Sequence, residues 1–423
     1  MSYYAVDFGT SNSLLTFVSD KGVVTPIPLD PNAGLVLRSL FYTPDKNQWF
    51  FGTEAISNYV ENEGAGRFFR SVKKFLPEPN YSGTIVHNKN VTIVDLVAVF
   101  LGEMKKRADK HTGLSVEKII LGRPALYSLD PAADQLAEDR MRKGAMQAGF
   151  KEVIFCPEPI AAGLDYQQDT LDERIVLIAD YGGGTSDFTL MKFDNKGYSK
   201  DNILGLSGIF TAGDAIDGVM MKNFISPHFG ANFEYKIPGG NNVLKFPRHL
   251  LEKICSPAHI THLREKDTWE FLQHIKKFAL SADDEIHMNN LFTLVESQLG
   301  FPLFNEIERV KVKLGKSDEE KFKYDFLDMN IEQSITAHDF NQSVEPTVEK
   351  LMSTLSEVFK QSGLSPDKVH QVCLTGGTSQ FGPIRQELTK MFGKDKIMDH
   401  NIFQSVVNGL ANYGKQLVAG GMN

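Results

Sequence analysis

The sequence is poor in the residues that mark a secreted or metal-knotted protein. It has three cysteines in 423 residues, at positions 156, 255 and 373, and no C-x-x-C pair. An odd number of widely separated cysteines argues against a disulfide framework or a zinc knot and indicates reduced thiols. The first residues, MSYYAVDFGTSN, lack a basic segment followed by an apolar stretch, so no secretory signal is expected.

Long apolar runs and basic blocks are also missing. No stretch reaches the roughly 18 apolar residues that span a bilayer, so no membrane partner is expected. The formal charge is −8 and Lys and Arg form no block, which argues against a nucleic-acid partner. With 42 % hydrophobic and 23 % charged residues, the composition is that of a globular chain with an ordinary core. These features predict a cytoplasmic protein with two or three domains, or one large two-lobed unit.

Two glycine turns, Asp7 to Ser13 and Asp180 to Asp187, have the same pattern. In each, an apolar strand ends in Asp, an aromatic residue follows, and Gly and Thr form a turn into another strand: YYAVDF-GTSN-SLLTFV and RIVLIAD-YGGGTS-DFTLMKF. The second copy has two more residues than the first between its Asp and its Thr, which predicts a longer turn. A repeat about 170 residues apart is too long for a solenoid and predicts duplicated lobes.

The residue types in these turns suit the phosphates of a nucleotide. Glycine lets the backbone approach anionic oxygens closely, and a carboxylate can hold Mg²⁺ or its waters. A single D-x-G-T turn is more often a plain hairpin, but two matched copies favour a shared phosphate cleft. We therefore expect Asp7 and Asp180 to face the metal, and two sets of turn residues to hold the phosphates: Gly9, Thr10, Ser11 and Asn12, and Gly182, Gly183, Gly184 and Thr185.

Strands alternate with capped helices elsewhere, which predicts α/β layers. Asp130 and Pro131 can start a helix that ends near Gly149. Apolar spacing predicts a further helix from Val344 to Gln361. The region from Ile237 to Gln298 is expected to be mostly helical. Near the C-terminus, a strand runs into LTGGTSQFG, and this glycine turn could lie against an adenine or a ribose.

The ordered motifs of the chain carry a family resemblance. They are DFGTSNS, VKKFL, GRPALY, PEPIAAGLDY, DYGGGTSDF, AGDAID, EIERVKVKL and LTGGTSQFGPI. This series resembles the nucleotide-binding domain of the DnaK-type heat-shock chaperones, in the actin and sugar-kinase superfamily, and looks closest to the short YegD-like branch. The resemblance implies a two-lobed actin-like α/β fold, each lobe a duplicated mixed β-sheet with flanking helices, plus smaller subdomains.

The same resemblance implies a division of the chain. Lobe I is expected at residues 1–170 and lobe II at 171–400, with a helical or inserted subdomain at about 215–325. A C-terminal helix within 401–423 is expected to return to lobe I. The sequence stops soon after this helix, so the family's peptide-binding domain is expected to be absent.

The resemblance also implies roles for individual residues and a cofactor set of ATP or ADP, Mg²⁺ and, as an open question, K⁺. Asp7 and Asp180 would hold the hydrated Mg²⁺, and Lys73 would polarise the γ-phosphate. Glu158 would sense the nucleotide together with Pro124. Further roles near the phosphates fall to Thr185, to Asp187, which would bind a monovalent cation or place water, and to Gly213 and Asp214. The nucleoside end would contact Glu308, Lys311, Gly376, Gly377, Thr378 and Gln380.

Departures from the family's pattern concentrate at the adenosine end. The two arginine positions hold Val312 and Gln380, the serine position holds Gly315, and an aspartate position near the last helix holds Phe403. Two guanidinium groups that would stack on the adenine are therefore missing. We expect weaker nucleotide affinity or relaxed base selectivity, partly compensated by an apolar pocket of Val312 and Phe403.

Alternatives remain at the level of residues and of function. Lys73 lies beside Lys74 and could be surface charge, Glu158 could be a turn carboxylate, and Asp187 a solvated strand end. His259 and His262 lack further metal ligands nearby, so a surface helix is the better interpretation there. The leading hypothesis is a slow Mg²⁺-dependent ATPase. The others are a nucleotide-dependent binding module with little turnover, a small-molecule kinase and a filament-forming relative; the protein partner or co-chaperone is left open.

Overall fold

The computed structural model describes residues 2–31, 34–62, 65–128, 130–167, 173–193, 202–257, 259–399 and 404–419. The elements of the N-terminal half are β1 (Tyr3–Phe8), β2 (Asn12–Val18), β3 (Val24–Pro26), β4 (Leu37–Arg38), β5 (Leu40–Thr43), β6 (Phe50–Phe51), α1 (Thr53–Glu61), β7 (Arg67–Arg70), β8 (Gly83–Val86), β9 (Lys89–Thr92), α2 (Ile93–Thr112), β10 (Lys118–Arg123), α3 (Pro131–Gln147), β11 (Glu152–Pro157) and α4 (Glu158–Gln167).

The elements of the C-terminal half follow in the same way. They are β12 (Arg174–Tyr181), β13 (Ser186–Phe193), β14 (Ile203–Ile209), α5 (Gly213–Met220), β15 (Glu234–Tyr235), β16 (Leu244–Lys245), α6 (Arg248–Ile254), α7 (Lys266–Lys276), α8 (Ala282–Glu296), α9 (Gly300–Leu314), β17 (Glu319–Phe326), β18 (Met329–Thr336), α10 (Ala337–Ser362), β19 (Gln371–Thr375), α11 (Gly382–Phe392), β20 (Ile397–Asp399) and α12 (Ser405–Ala419).

Two mixed sheets repeat one topology. The first has the order β3-β2-β1-β10-β11 and the second the order β14-β13-β12-β19-β20. In each, the hairpin strands are antiparallel and the following crossover strands are parallel. All but one residue of β1 and five of the eight residues of β12 are buried, because helices cover both faces of the parallel part. The predicted two-lobed α/β fold with a duplicated sheet is confirmed.

Side-chain caps fix the first residues of α3 and α10. Asp130 accepts a hydrogen bond from the Ala132 N–H at 2.9 Å and starts α3, as the sequence predicts. The predicted start of α10 at Val344 is wrong by two turns. Thr336 Oγ1 accepts from the Asp339 N–H at 3.1 Å, and this cap begins the helix at Ala337, with Phe340 as its first buried apolar residue.

The segment predicted to be mostly helical contains α6, α7 and α8, but it also contains β16, which pairs with β15 just before the segment. Helix α12 packs on α4, β1, β2 and β10, which belong to the first sheet and its neighbour. The predicted lobe boundary at residue 170 and the Phe403 position lie outside the described residues, and the lobe limits stay predictions. Among the described residues, no helix is long and apolar enough to cross a membrane.

Candidate functional site

The two glycine turns are equal in length. In the first, the Gly9 N–H donates to the Asn12 carbonyl at 3.1 Å; in the second, the Gly182 N–H donates to the Thr185 carbonyl at 2.9 Å. The strand register agrees, since Phe8 pairs with Ser13 and Tyr181 pairs with Ser186. The two additional residues expected in the second copy are therefore absent: Thr185 corresponds to Asn12 and not to Thr10.

The turns face each other at contact distance. A Cβ on Gly183 would lie 2.0 Å from Ser11 Oγ, and one on Gly184 would lie 3.0 Å from Thr10 Cγ2. Any side chain at Gly183 would therefore push the two loops apart. This close approach explains the glycine run, which a plain hairpin does not require.

Both turns also present unused backbone donors. Among the described residues, the N–H groups of Thr10, Ser11, Gly183 and Gly184 have no acceptor. Free N–H groups on two opposed loops form a concave anion-binding surface of the kind that holds phosphates. The pocket between them is about 90 Å³, which suits the phosphate end and is smaller than a site for a whole nucleotide.

The lining of this phosphate pocket includes many of the predicted site residues. They are Asp7, Gly9, Thr10, Ser11, Asn12, Lys73, Glu158, Asp180, Gly182, Gly183, Thr185, Gly376 and Gly377. Leu14 and Val406 complete it. The other predicted residues lie around it or, for part of the nucleoside set, farther along α9.

Carboxylates outnumber the basic group at this pocket. Burial raises the pKa of Asp7 well above its usual value, and Glu158 adds to the effect. Burial, followed by Glu158, raises the pKa of Asp180 to about 6. This crowding of negative charge fits a divalent cation, and Asp7 and Asp180 are the oxygen ligands that could hold its waters. Within the described residues, no group of three or more His, Cys, Asp or Glu side chains could hold a metal ion by itself.

Lys73 is buried and paired. It lies in a short 3₁₀ helix, Val72–Phe75, and its Nζ donates to Glu158 Oε1 at 2.6 Å. Burial opposes the charge on Lys73, but Glu158 and other neighbours outweigh it and raise the pKa of the ammonium. The alternative of a surface lysine is therefore wrong, since Lys73 is only 8 % exposed, and Glu158 is equally buried where β11 meets α4.

Asp187 is buried opposite Asp180 in the β12–β13 pair. Burial, followed by Asp180 and Glu158, raises the pKa of Asp187 well above its usual value. With Thr185, which also lines the phosphate pocket, it lines a second small cavity. It is therefore not a solvated strand end.

The start of α5 is bonded directly to the second turn. The Asp214 N–H donates to the Gly183 carbonyl at 2.7 Å, and Thr378 Oγ1 donates to the Gly182 carbonyl at 2.8 Å. A Cβ on Gly213 would lie 2.6 Å from Thr378 Oγ1, so this contact also needs glycine. At Gly376, φ is +77° and a Cβ would lie 2.2 Å from the Tyr181 carbonyl oxygen.

Asp214 joins the two lobes. Its carboxylate lies 2.5 Å from Lys74 Nζ and 3.6 Å from the Arg70 guanidinium. Burial opposes ionisation, but Lys74 and Arg70 outweigh it and lower the pKa of Asp214. Sequence reasoning missed Arg70 and Lys74; the basic spacing in RSVKK was the available signal.

Glu308 and Lys311 of α9 do not line the phosphate pocket. Glu308 Oε2 lies 3.1 Å from the Arg38 guanidinium of β4, and Lys311 Nζ lies 2.7 Å from Asp217 Oδ1. Val312 is 59 % exposed, and Gln380 is exposed as well. The apolar pocket expected from Val312 and Phe403 is therefore not seen at Val312, because the side chain faces outward. Arg38 was also missed by the sequence, which gives no signal for a partner 270 residues away.

The remaining candidates have ordinary structural explanations. His259 and His262 lie at a short 3₁₀ helix, Ile260–Arg264, with ring centroids 5.4 Å apart. His262 Nδ1 lies 3.8 Å from Glu265, and no metal-binding group of three includes them in the described residues. Cys156 and Cys373 are buried free thiols and Cys255 is a partly buried one.

Comparisons with known proteins agree with this geometry. The family model described as Hsp70 protein matches residues 73–230 and 296–420. The chaperone protein HscA of Buchnera aphidicola subsp. Acyrthosiphon pisum is 24 % identical over 425 residues, and that of subsp. Schizaphis graminum is 23 % identical. Each alignment covers 96 % of this chain and 57 % of the relative, so the chain spans little more than half the length of these relatives.

Proposed function

Because the chain belongs to the Hsp70 protein family, we propose that it binds ATP with Mg²⁺ between its two lobes and hydrolyses it slowly. The observation that carries this proposal is the pair of matched turns, which meet at Ser11 and Gly183 and present free N–H groups from both sheets. A triphosphate placed between them would be bound by both lobes at once. Nucleotide binding would thus be linked to lobe closure.

The phosphate pocket supplies groups for the transfer of the γ-phosphoryl group to water. Backbone N–H groups of Thr10, Ser11, Gly183 and Gly184 would bind the phosphate oxygens, and Asp7 and Asp180 would hold the hydrated Mg²⁺. When bound, this ion neutralises the charge of the β- and γ-phosphates. Such catalysis depends on positioning and electrostatic stabilisation.

Lys73 and Glu158 supply the remaining polar groups. The Lys73 ammonium contacts the γ-phosphate and orients the attacking water, and Glu158 fixes the position of this ammonium through their 2.6 Å contact. Thr185, at the base of the second turn, offers a hydroxyl to the same end of the nucleotide. Asp187, which lies opposite Asp180 in the β12–β13 pair, suits a monovalent cation such as K⁺ or the placement of water.

Calorimetry of the full chain with ATP and ADP, with and without Mg²⁺, tests binding. We expect binding that requires Mg²⁺ for full affinity, and Asp7→Asn should remove this requirement. No heat of binding at millimolar nucleotide would contradict the proposal. The exposed Lys89→Ala variant is the control, since Lys89 lies on β9 away from the turns.

Phosphate release separates an ATPase from the other candidates. Lys73→Ala should abolish phosphate release while nucleotide binding is largely retained, with circular dichroism to verify folding. If the unaltered protein releases no more phosphate than this variant, the chain is a nucleotide-dependent binding module. Production of ADP that depends on an added sugar would instead indicate a kinase.

We also propose that a protein client or co-chaperone binds this chain in a nucleotide-dependent way. Nucleotide-dependent lobe closure would change the surface offered to a protein partner. Capture experiments with the full chain, in ATP and in nucleotide-free buffer, should recover partners in a nucleotide-dependent way.

A further inference from the structure

A second and larger cavity lies apart from the phosphate pocket. It measures about 520 Å³, within the usual range for small-molecule sites. One wall comes from α1 and β7 and the other from the segment around α9 and the short helix Ile260–Arg264. We call it the arginine cavity and define it by Tyr59, Arg67, Phe68, Arg70, Arg264 and Phe301.

Positive charge gathers in the arginine cavity from both walls. Burial lowers the pKa of Arg67; Tyr81, which also lines the cavity, opposes this effect, and Arg264 on the opposite wall adds to it. In the described part of the chain, neither guanidinium has a carboxylate within ion-pair distance. Glu265 also lines the cavity, but its carboxylate pairs with other groups, 3.3 Å from Lys253 and 3.8 Å from His262. Two like charges held near each other without a counter-ion favour an anionic ligand.

The apolar part of the cavity is aromatic and crosses between the walls. The ring of Phe68 lies 4.8 Å from that of Tyr59 and 4.6 Å from that of Phe301. The Arg70 guanidinium lies 5.9 Å from the Phe301 ring centroid. Aromatic rings beside guanidinium groups suit a ligand with a flat apolar body and an acidic group.

The arginine cavity is distinct from the nucleotide site. No residue lines both cavities, and neither Glu308 nor Lys311 lines the larger one. The Asp214 carboxylate, bound by Lys74 and Arg70, lies between them. Because Arg67 and Arg264 do not line the phosphate pocket, phosphates held by the two turns do not contact them.

We propose that the arginine cavity binds a small organic anion whose acidic group is held by Arg67 and Arg264 and whose planar apolar body packs on Tyr59, Phe68 and Phe301. Carboxylates, sulfonates and phosphates share the recognised chemistry. Because its two walls come from different lobes, the ligand contacts both.

Two matched fluorescent probes test this site on the full chain. 8-Anilinonaphthalene-1-sulfonate carries an anionic group on an aromatic body, and N-phenyl-1-naphthylamine has the same body without the charge. We expect one saturable site for the sulfonate and weaker binding of the neutral probe. Arg67→Gln and Arg264→Gln should each weaken sulfonate binding by about tenfold, through loss of a charge-assisted contact, and leave the neutral probe unchanged.

Control variants separate charge from folding. Arg67→Lys keeps a cation and should recover part of the affinity, while Arg248→Gln, an exposed residue paired with Glu252, should change nothing. The proposal is overturned if both Arg→Gln variants bind the sulfonate as the unaltered protein does, or if the two probes bind equally. Competitive displacement by ADP would also overturn it, by placing the probe in the nucleotide cleft. Calorimetry with ATP is independent of these titrations, so failure of one proposal leaves the other standing.

Discussion

Lys73 and Glu158 form an ion pair in which both side chains are buried, and its strength depends on this burial. The ammonium and the carboxylate are 2.6 Å apart and side-chain exposure is 8 % and 10 %. Lys118 and Glu152 are about as close, at 2.7 Å, but Glu152 is 49 % exposed. Water screens the second pair and not the first, so the two pairs make a matched comparison.

We predict that Lys73→Met lowers the free energy of unfolding by about 3 to 5 kcal/mol, because Glu158 is left buried without a counter-charge. Lys118→Met should cost no more than about 1 kcal/mol. Urea denaturation of both variants measures the difference. Adding Glu158→Gln to Lys73→Met should recover part of the loss, and equal costs for the two lysine variants would refute the assignment.

Asp217 gives the stability a defined pH dependence. Burial raises its pKa from 3.8 to about 6, although Lys311 opposes the shift from 2.7 Å away. Between these pH values the folded protein holds a proton that the unfolded chain releases. The contribution of Asp217 to the free energy of unfolding therefore decreases as the pH rises through this window.

We predict that the stability of the unaltered protein, measured relative to Asp217→Asn, falls by up to about 3 kcal/mol from pH 4 to pH 7. Urea denaturation at several pH values gives this difference. Asp20→Asn, at an exposed carboxylate, serves as the control. A difference that stays constant with pH would show that Asp217 keeps the same charge throughout.

At the scale of elements, α12 and α4 pack backbone against backbone. A Cβ on Gly409 of α12 would lie 1.6 Å from the Ala161 carbonyl oxygen of α4. Helix α4 begins at Glu158, whose carboxylate pairs with Lys73. The close packing of α12 on α4 therefore helps to hold the Glu158 carboxylate in place in the phosphate pocket.

Gly409→Ala should force α12 away from α4 and lower the free energy of unfolding by about 1 to 3 kcal/mol. Because α4 carries Glu158, we also expect weaker binding of ATP in calorimetry. Gln416→Ala lies on the exposed side of the same helix and should stay within about 0.5 kcal/mol of the unaltered protein. If Gly409→Ala is as stable as this control, the close helix contact is incorrect.

At the scale of the molecule, two ion-pair groups join the lobes in the part of the chain that the structure describes. Arg38 and Glu308 are 31 % and 43 % exposed, whereas Asp214, which meets Lys74 and Arg70, is 7 % exposed. The exposed pair is weak and sensitive to salt, and the buried group is held more firmly. Opening of the lobes would therefore break the Arg38 contact at low cost.

We predict that Arg38→Gln increases the rate of ADP release by about two- to fivefold at low salt, in proportion to a contact worth less than about 1 kcal/mol. The effect should fade at high salt, since an exposed pair is screened there. Stopped-flow displacement of a fluorescent ADP analogue measures the rate. Arg248→Gln, far from the lobe contact, is the control, and an effect that persists at high salt would exclude an electrostatic cause.

Much of the fold could be predicted from the sequence because its signals are local. Apolar strands ending in Asp before a glycine turn specified both hairpins, and the repeat of this pattern predicted the duplicated sheet that the structure confirms. Asp130 and Pro131 marked the start of α3. The family resemblance is confirmed by the Hsp70 match, whereas the functional roles of the site residues stay predictions.

Errors arose where one local signal outweighed another. Apolar spacing placed the start of α10 at Val344, but the Thr336–Asp339 cap starts it two turns earlier. Matching hydroxyl types suggested unequal turns, but the hydrogen bonds of Gly9 and Gly182 show that they are equal.

The sequence by itself determined the two matched glycine turns, because neighbouring residues in a tight turn must share one small space. Only the tertiary structure decided which charges meet: Lys73 with Glu158, Asp214 with Lys74, and Arg38 with Glu308. The partners in these pairs are 85, 140 and 270 residues apart. Lys73 and Glu158 meet within residues 1–170, whereas the other two contacts follow from the packing of the two lobes against each other. The arginine cavity has the same origin, since its walls come from distant parts of the chain.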